Sequence, residues 1–159
     1  MKKHITIVFL LLLIFSKIAA QDIAEIDRQE LLRLTGQSND TTYVVNFWAT
    51  WCSPCVKEIE FFEELHRELG TSGVKVLLVS LDFPNQLDQR VVPFLREKEI
   101  TAPVKLMTDL QYNEWIDRVD PGWSGAIPAT LIYNNKRRMF LEKELTREEL
   151  FNHVHQIHH

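Results

Sequence analysis

The sequence predicts an α/β fold with a central mixed sheet and helices on both faces. Two continuous apolar runs, residues 43–48 and 74–81, have the valine and aromatic content of covered strands. An amphipathic segment, 56–69, lies between them and predicts a right-handed strand, helix and strand unit with parallel strands. Residues 129–133 and 138–142 predict a hairpin, which adds antiparallel strands.

The first twenty residues have the pattern of a secretory signal peptide. Residues 1–4 are basic, 5–15 are an unbroken apolar run, and 18–20 offer small residues for cleavage. We therefore expect 21–159 to form one domain, exported to the periplasm or an equivalent compartment. The apolar run spans roughly half of a bilayer core, which favours a cleaved signal, although an uncleaved one would act as a membrane anchor.

Charge excludes one class of partner. Removal of residues 1–20 leaves 15 basic and 22 acidic residues, a formal charge of −7. Nucleic acid is therefore not an expected partner.

Capping residues mark the helix ends. Asp27 with Glu30 predicts the start of a short helix, and Thr146 with Glu149 forms a capping box for the last helix. Pro93 is expected to begin the regular part of a helix within 87–98. The remaining patterns predict a strand at 104–107, a helical turn or two at 111–119 and a loop at 120–126.

The only two cysteines, Cys52 and Cys55, lie three residues apart between the first strand and its helix. Residues at this spacing share one face of a helix start and can close a reversible disulfide ring. Free N–H groups and the helix dipole lower the pKa of Cys52 from about 8.5 towards roughly 3.5 to 7.5. Cys52 is the expected nucleophile and Cys55 the resolving thiol. Pro54 suits the first turn because it needs no hydrogen-bond partner there.

Two segments carry a family resemblance. Residues 45–55 read VNFWATWCSPC and residues 127–130 read IPAT. They resemble the thioredoxin superfamily and, within it, the TlpA-like thiol-disulfide oxidoreductases of the bacterial cell envelope. The resemblance covers nearly all of 22–157 and implies a thioredoxin-like fold. It also implies a cis peptide bond at Pro128, opposite the dithiol, where Ile127 and Pro128 bind an extended substrate.

The resemblance marks two polar residues near the dithiol. Asn46 stands where thioredoxin has a buried aspartate, and an amide cannot shuttle protons. Glu58 matches an acid that related envelope proteins carry near the active site, where it would serve Cys55; the alternative is a solvated helix residue. Trp51 and Trp123 are candidates for an apolar rim that binds a partner, and the alternative for both is packing.

The sequence fits other roles for the two cysteines less well. Structural zinc needs four ligands, and no second cysteine pair exists. A purely structural disulfide is also possible, but one that closes so short a loop would stabilise the fold little through chain entropy. A peroxiredoxin would carry a proline and a threonine where Val45 and Ala49 stand. Copper delivery through Cys52, Cys55 and a histidine is the rival function, but copper-delivery relatives space their cysteines one residue wider, and His66 lies well down the helix.

The sequence thus predicts an exported, monomeric thiol-disulfide oxidoreductase that reduces disulfides of envelope proteins. It would use a redox-active Cys52–Cys55 disulfide, without a dissociable cofactor or metal. The resemblance implies clients such as apocytochromes awaiting haem, and a membrane protein as electron donor. Such a donor is needed because a dithiol outside the cytoplasm is reoxidised.

Overall fold

The computed structural model describes residues 23–159, so the predicted signal peptide at 1–20 lies outside the described residues. Within that range the strands form one mixed sheet: β1 (Ala24–Ile26), β2 (Thr42–Trp48), β3 (Val74–Ser80), β4 (Val104–Met107), β5 (Ala129–Tyr133) and β6 (Arg138–Leu141). The order across the sheet is β1, β4, β3, β2, β5, β6. β1, β4, β3 and β2 run parallel to one another, β5 pairs antiparallel with β2, and β6 pairs antiparallel with β5. The predicted mixed sheet is confirmed.

The α-helices begin and end close to the predicted positions: α1 (Arg28–Thr35), α2 (Ser53–Leu69), α3 (Val92–Glu97), α4 (Ile116–Val119) and α5 (Arg147–His158). Asp27 caps α1 by accepting the N–H of Glu30. Among the described residues, no helix is both long and apolar enough to cross a membrane.

The segment before α3 departs from regular geometry. Residues Leu87–Val91 form a π-helical turn, and the Val92 N–H donates to the carbonyl of Leu87, five residues back. Pro93, which has no N–H to donate, is the second residue of α3. The regular helix therefore begins beside Pro93, as predicted.

Both faces of β2 are covered, which explains its continuous apolar sequence. Val44 and Trp48 pack in one core with residues of α2, α3 and α5, whereas Val45 and Phe47 pack in a second core with residues of α1 and α4. The sheet therefore carries helices on both faces. This arrangement fixes the carboxyl end of β2, which leads directly into the two cysteines.

The edge strand β1 was not predicted. It has three residues, Ala24–Ile26, and only Ile26 is buried. Its pairing with β4 comes from backbone hydrogen bonds that a three-residue pattern does not reveal.

Thr146 supports the start of α5 through a capping box. Its side chain accepts the N–H of Glu149, and the Glu149 carboxylate accepts the N–H of Thr146. We expect Thr146→Ala to lower the free energy of unfolding by about 1 kcal/mol, because one N–H of the first turn loses its acceptor. Urea unfolding of the two proteins measures this, with Thr146→Ser as the control that keeps the hydroxyl. Equal stability of the alanine variant would show that the cap contributes nothing.

Candidate active site

The two cysteines lie at the turn between β2 and α2. The Cys52 N–H donates to the Ala49 carbonyl over 3.1 Å, which closes the turn after the strand. Cys52 is the N-cap of α2, and its sulfur accepts the N–H of Cys55 at 3.3 Å. Pro54 lies in the first turn of the helix, where no N–H is required. The helix start therefore directs a backbone donor at the Cys52 sulfur.

Cys52 and Cys55 are joined by a disulfide, with 5.3 Å between their Cα atoms. The two residues differ in access. Cys52 is 6% exposed, whereas Cys55 is fully buried. An incoming sulfur therefore reaches Cys52 first.

The Ile127–Pro128 segment faces the disulfide. Its peptide bond is cis, and the Ile127 carbonyl oxygen lies 3.7 Å from the Cys52 sulfur. A disulfide sulfur has no proton to donate, so in this state the approach is a contact. In the reduced protein the Cys52 thiol has that carbonyl within reach of a weak hydrogen bond.

A buried polar network lies beneath the cysteines, on α2, β2 and β5. Asn46 and Thr130 are opposite each other in the β2–β5 pair, and the Asn46 amide donates to Thr130 Oγ1 at 3.1 Å. The same amide nitrogen donates to Glu58 Oε1 at 3.0 Å. Glu58 Oε2 accepts the N–H of Leu145 at 2.6 Å. The network therefore joins the helix that carries Cys55 to the sheet and to the residue before the cap of α5.

Glu58 is fully buried rather than solvated. Burial raises the pKa of its carboxyl group to about 7, against the lowering effect of the hydrogen bonds from Leu145 and Asn46. The Asn46 Oδ1 atom is buried and has no hydrogen-bond partner among the described residues. A carboxyl group that titrates near neutral pH thus lies one helical turn beyond Cys55.

The two candidate rim tryptophans have different surroundings. Trp51 is 56% exposed beside Cys52. Trp123 is buried, with its ring centroid 4.5 Å from that of Phe47, and its Nε1 donates to the Ala126 carbonyl. Trp51 is therefore available to a partner, and Trp123 packs in the core.

Sequence reasoning missed Asp82, which is fully buried at the carboxyl end of β3. Its Oδ2 accepts the Thr50 N–H at 3.0 Å, and its Oδ1 accepts the Thr50 hydroxyl at 2.5 Å. The signal that points to it is topological. The carboxyl ends of neighbouring parallel strands meet at one edge of a sheet, so the residues just after β3, Leu81 and Asp82, lie beside the turn after β2.

The described residues contain no group of three or more His, Cys, Asp or Glu side chains that could hold a metal ion. The histidines near the C-terminus are spread over α5, where His158 Nδ1 lies 3.0 Å from Thr42 Oγ1. No observation favours copper delivery over dithiol chemistry.

Comparison with known proteins identifies the family. A model of the AhpC/TSA family matches residues 18–139, well over half of the chain. The chain belongs to the AhpC/TSA family. Among its curated relatives, a thiol-disulfide oxidoreductase ResA from Geobacillus thermodenitrificans is 28% identical over 119 residues, which are 71% of this chain and 61% of that protein. Another ResA, from Oceanobacillus iheyensis, is 39% identical over 61 residues, 38% of this chain and 30% of that protein.

This AhpC/TSA chain thus spans less than two thirds of the length of these two relatives. Among solved structures, it is similar to a thiol:disulfide interchange protein of the thioredoxin family from Chlorobium tepidum. The TM-score is 0.64 at 20% identity, over 76% of this chain and 82% of that one. The predicted thioredoxin-like fold is confirmed.

Proposed function

We propose that this chain is a thiol-disulfide oxidoreductase that reduces disulfides in partner proteins. The observation that carries the proposal is the Cys52–Cys55 disulfide at the start of α2, with the Cys52 sulfur 3.7 Å from the carbonyl oxygen of Ile127, the residue before the cis proline. The similarity to proteins named thiol-disulfide oxidoreductase supports it.

In the forward reaction the Cys52 thiolate attacks one sulfur of a client disulfide. A Cys52–client bond forms, the client S–S bond breaks, and the released client sulfur takes a proton. Cys55 then loses its proton and attacks the Cys52 sulfur, which releases the second client sulfur as a thiolate that is protonated in turn. Two electrons have passed to the client, and the enzyme is left with the disulfide seen in the structure.

Each step of this exchange has a group of this chain beside it. The Cys55 N–H stabilises charge on the Cys52 sulfur during attack and release. Glu58, one turn beyond Cys55, is the group that takes the Cys55 proton, because its pKa of about 7 lets it exchange protons near neutral pH. Ile127 and Pro128 bind the extended client segment next to the attacked disulfide.

The same proposal covers the compartment in which the reaction occurs, the electron donor and the client proteins. The pattern of residues 1–20 supports export, and an exported dithiol needs an electron donor such as a membrane protein that returns two electrons and two protons. Disulfides of envelope proteins, including apocytochromes awaiting haem, are the proposed clients.

Redox equilibration in glutathione or dithiothreitol buffers tests the function and its direction. A potential near the value of about −270 mV of thioredoxin supports a reductase, whereas one near about −120 mV indicates an oxidant. Protein that forms no mixed disulfide and exchanges with neither buffer would refute the proposal.

Trp51 is proposed to bind the client next to the attacked disulfide. We expect Trp51→Ala to lower the rate of reduction of a protein disulfide by about tenfold, because an exposed aromatic contact is worth about 1 to 2 kcal/mol when a partner covers it. Stopped-flow kinetics measure the rate, and the reduction of glutathione disulfide by the same variant is the control, expected to be unchanged. An equal loss with both substrates would place the effect in the dithiol itself.

A further inference from the structure

The chain just after β3 carries a second buried carboxylate, in addition to Glu58, beside the turn that leads to the dithiol. Asp82 has no exposed surface. It accepts from the Thr50 N–H, from the Thr50 hydroxyl, and from the Ser80 hydroxyl at 2.8 Å. Within residues 23–159, none of the ion pairs involves it. Three donors therefore hold a carboxylate that no cation neutralises.

The hydrogen bonds of Asp82 suit its carboxylate form. Both of its oxygens have donors, and the Ser80 hydroxyl beside one of them also accepts the Asp82 N–H, which leaves the hydroxyl proton free for the carboxylate. A carboxylate here places a negative charge at the turn that leads to Cys52.

The carboxylate is bonded to the turn that leads to the reactive sulfur. Thr50, which holds the carboxylate by two bonds, is two residues before Cys52, so the Cα atoms of Thr50 and Cys52 are at most about 7 Å apart. The Cys52 to Ala49 hydrogen bond closes this stretch into a turn, so the two Cα atoms are closer than the extended limit. A buried charge held at this turn is screened less by salt than an exposed one.

We propose that Asp82 is a positioning residue for the dithiol: it fixes the turn from Thr50 to Cys52, and its charge keeps the Cys52–Cys55 pair reducing. The inference rests on the proposed thiol-disulfide chemistry. A fixed negative charge disfavours the Cys52 thiolate and therefore raises the energy of the reduced form wherever that thiolate is populated. The reduced protein then gives up its electrons more readily.

The test uses Asp82→Asn, which keeps the shape of the side chain and removes its charge. We expect the pKa of Cys52 in the reduced protein to fall by about one unit, as measured from thiolate absorbance. At a pH above that pKa, the equilibrium with glutathione should shift about tenfold towards the reduced enzyme, which corresponds to about 30 mV. If the pKa of Cys52 and the equilibrium with glutathione were both the same in Asp82→Asn as in the parent, the proposal would be overturned.

Glu63 provides a control with the same number of hydrogen-bond donors, although Arg67 also lies 3.8 Å from its carboxylate. It is a buried carboxylate on α2 that accepts the Thr101 N–H, the Thr101 hydroxyl and the Ala102 N–H. It lies eight residues beyond Cys55, which is about 12 Å along a helix. Glu63→Gln should lower the free energy of unfolding but leave the equilibrium with glutathione unchanged. Equal shifts in both variants would mean that the effect of Asp82 is a general loss of structure, and would also overturn the proposal.

A second variant, Thr50→Val, tests the positioning role if Asp82→Asn does not fold. It removes the hydroxyl donor and keeps the charge, so client reduction should slow several-fold while the glutathione equilibrium stays at the parent value. An unchanged rate would overturn the positioning role. Failure of the proposed function is a different result, since the parent protein itself would then exchange with no disulfide.

Discussion

Cys55→Ser accumulates mixed disulfides with client proteins, whereas Cys52→Ser forms none: this is the expected result with the largest effect. Cys52 keeps the accessible sulfur and the N–H donor, so it still attacks. The buried Cys55 thiol that would resolve the intermediate is absent. Client turnover should fall to background in both variants. Non-reducing gels of whole cells or of the purified proteins with a disulfide client measure the trapped species.

The double variant, with both cysteines replaced by serine, is the control for adventitious binding, and its bands should match those of Cys52→Ser. Reduction of the sample should remove every trapped species. If mixed disulfides accumulated with Cys52→Ser instead of Cys55→Ser, Cys55 would be the attacking thiol and Cys52 the resolving one.

Glu58 makes the stability of the oxidised protein depend on pH. Its pKa is raised from 4.5 to about 7 in the folded protein. The folded state therefore binds a proton that the unfolded state has released between these two values, and stability falls as pH rises through that window. The shift corresponds to about 3 kcal/mol, which is present below pH 4.5 and lost above pH 7.

Glu58→Gln removes this dependence, because glutamine cannot ionise and has the shape of a protonated glutamate. We expect the variant to match the parent near pH 4 and to exceed it by about 3 kcal/mol at pH 8. Urea unfolding of the oxidised proteins at the two pH values measures the difference. Glu60→Gln, at an exposed position of the same helix, is the control and should show no such window. If the free energies of unfolding of Glu58→Gln and the parent differed by the same amount at both pH values, the raised pKa of Glu58 would be contradicted.

Local sequence patterns predicted the elements on which the dithiol depends. The strand before Cys52, the helix after it and the helix caps at Asp27 and Thr146 each rest on contacts within a few residues, so pattern and propensity were sufficient. The resemblance supplied Ile127 and Pro128, which lie far from the cysteines in sequence and close to them in space.

The features that were missed depend on contacts between distant parts of the chain. Nothing local distinguishes Glu63, which accepts hydrogen bonds from residues 101 and 102, from the exposed glutamates of α2. Asp82 follows an apolar strand as many loop aspartates do, and only the adjacency of β2 and β3 brings it to Thr50. For Glu58 the sequence left two alternatives, because its burial depends on Leu145, 87 residues further on.

The hydrogen bond from Leu145 to Glu58 has a consequence for the order in which the site matures. A ribosome adds about 5 to 20 residues per second, so Leu145 is made roughly 4 to 17 seconds after Glu58. During that interval both cysteines already exist, but Glu58 lacks the backbone donor and the covering chain that withdraw it from water. The nascent chain therefore carries an ordinary dithiol beside an ordinary solvated carboxylate. The raised proton affinity of Glu58 therefore cannot arise before the segment that contains Leu145 is in place.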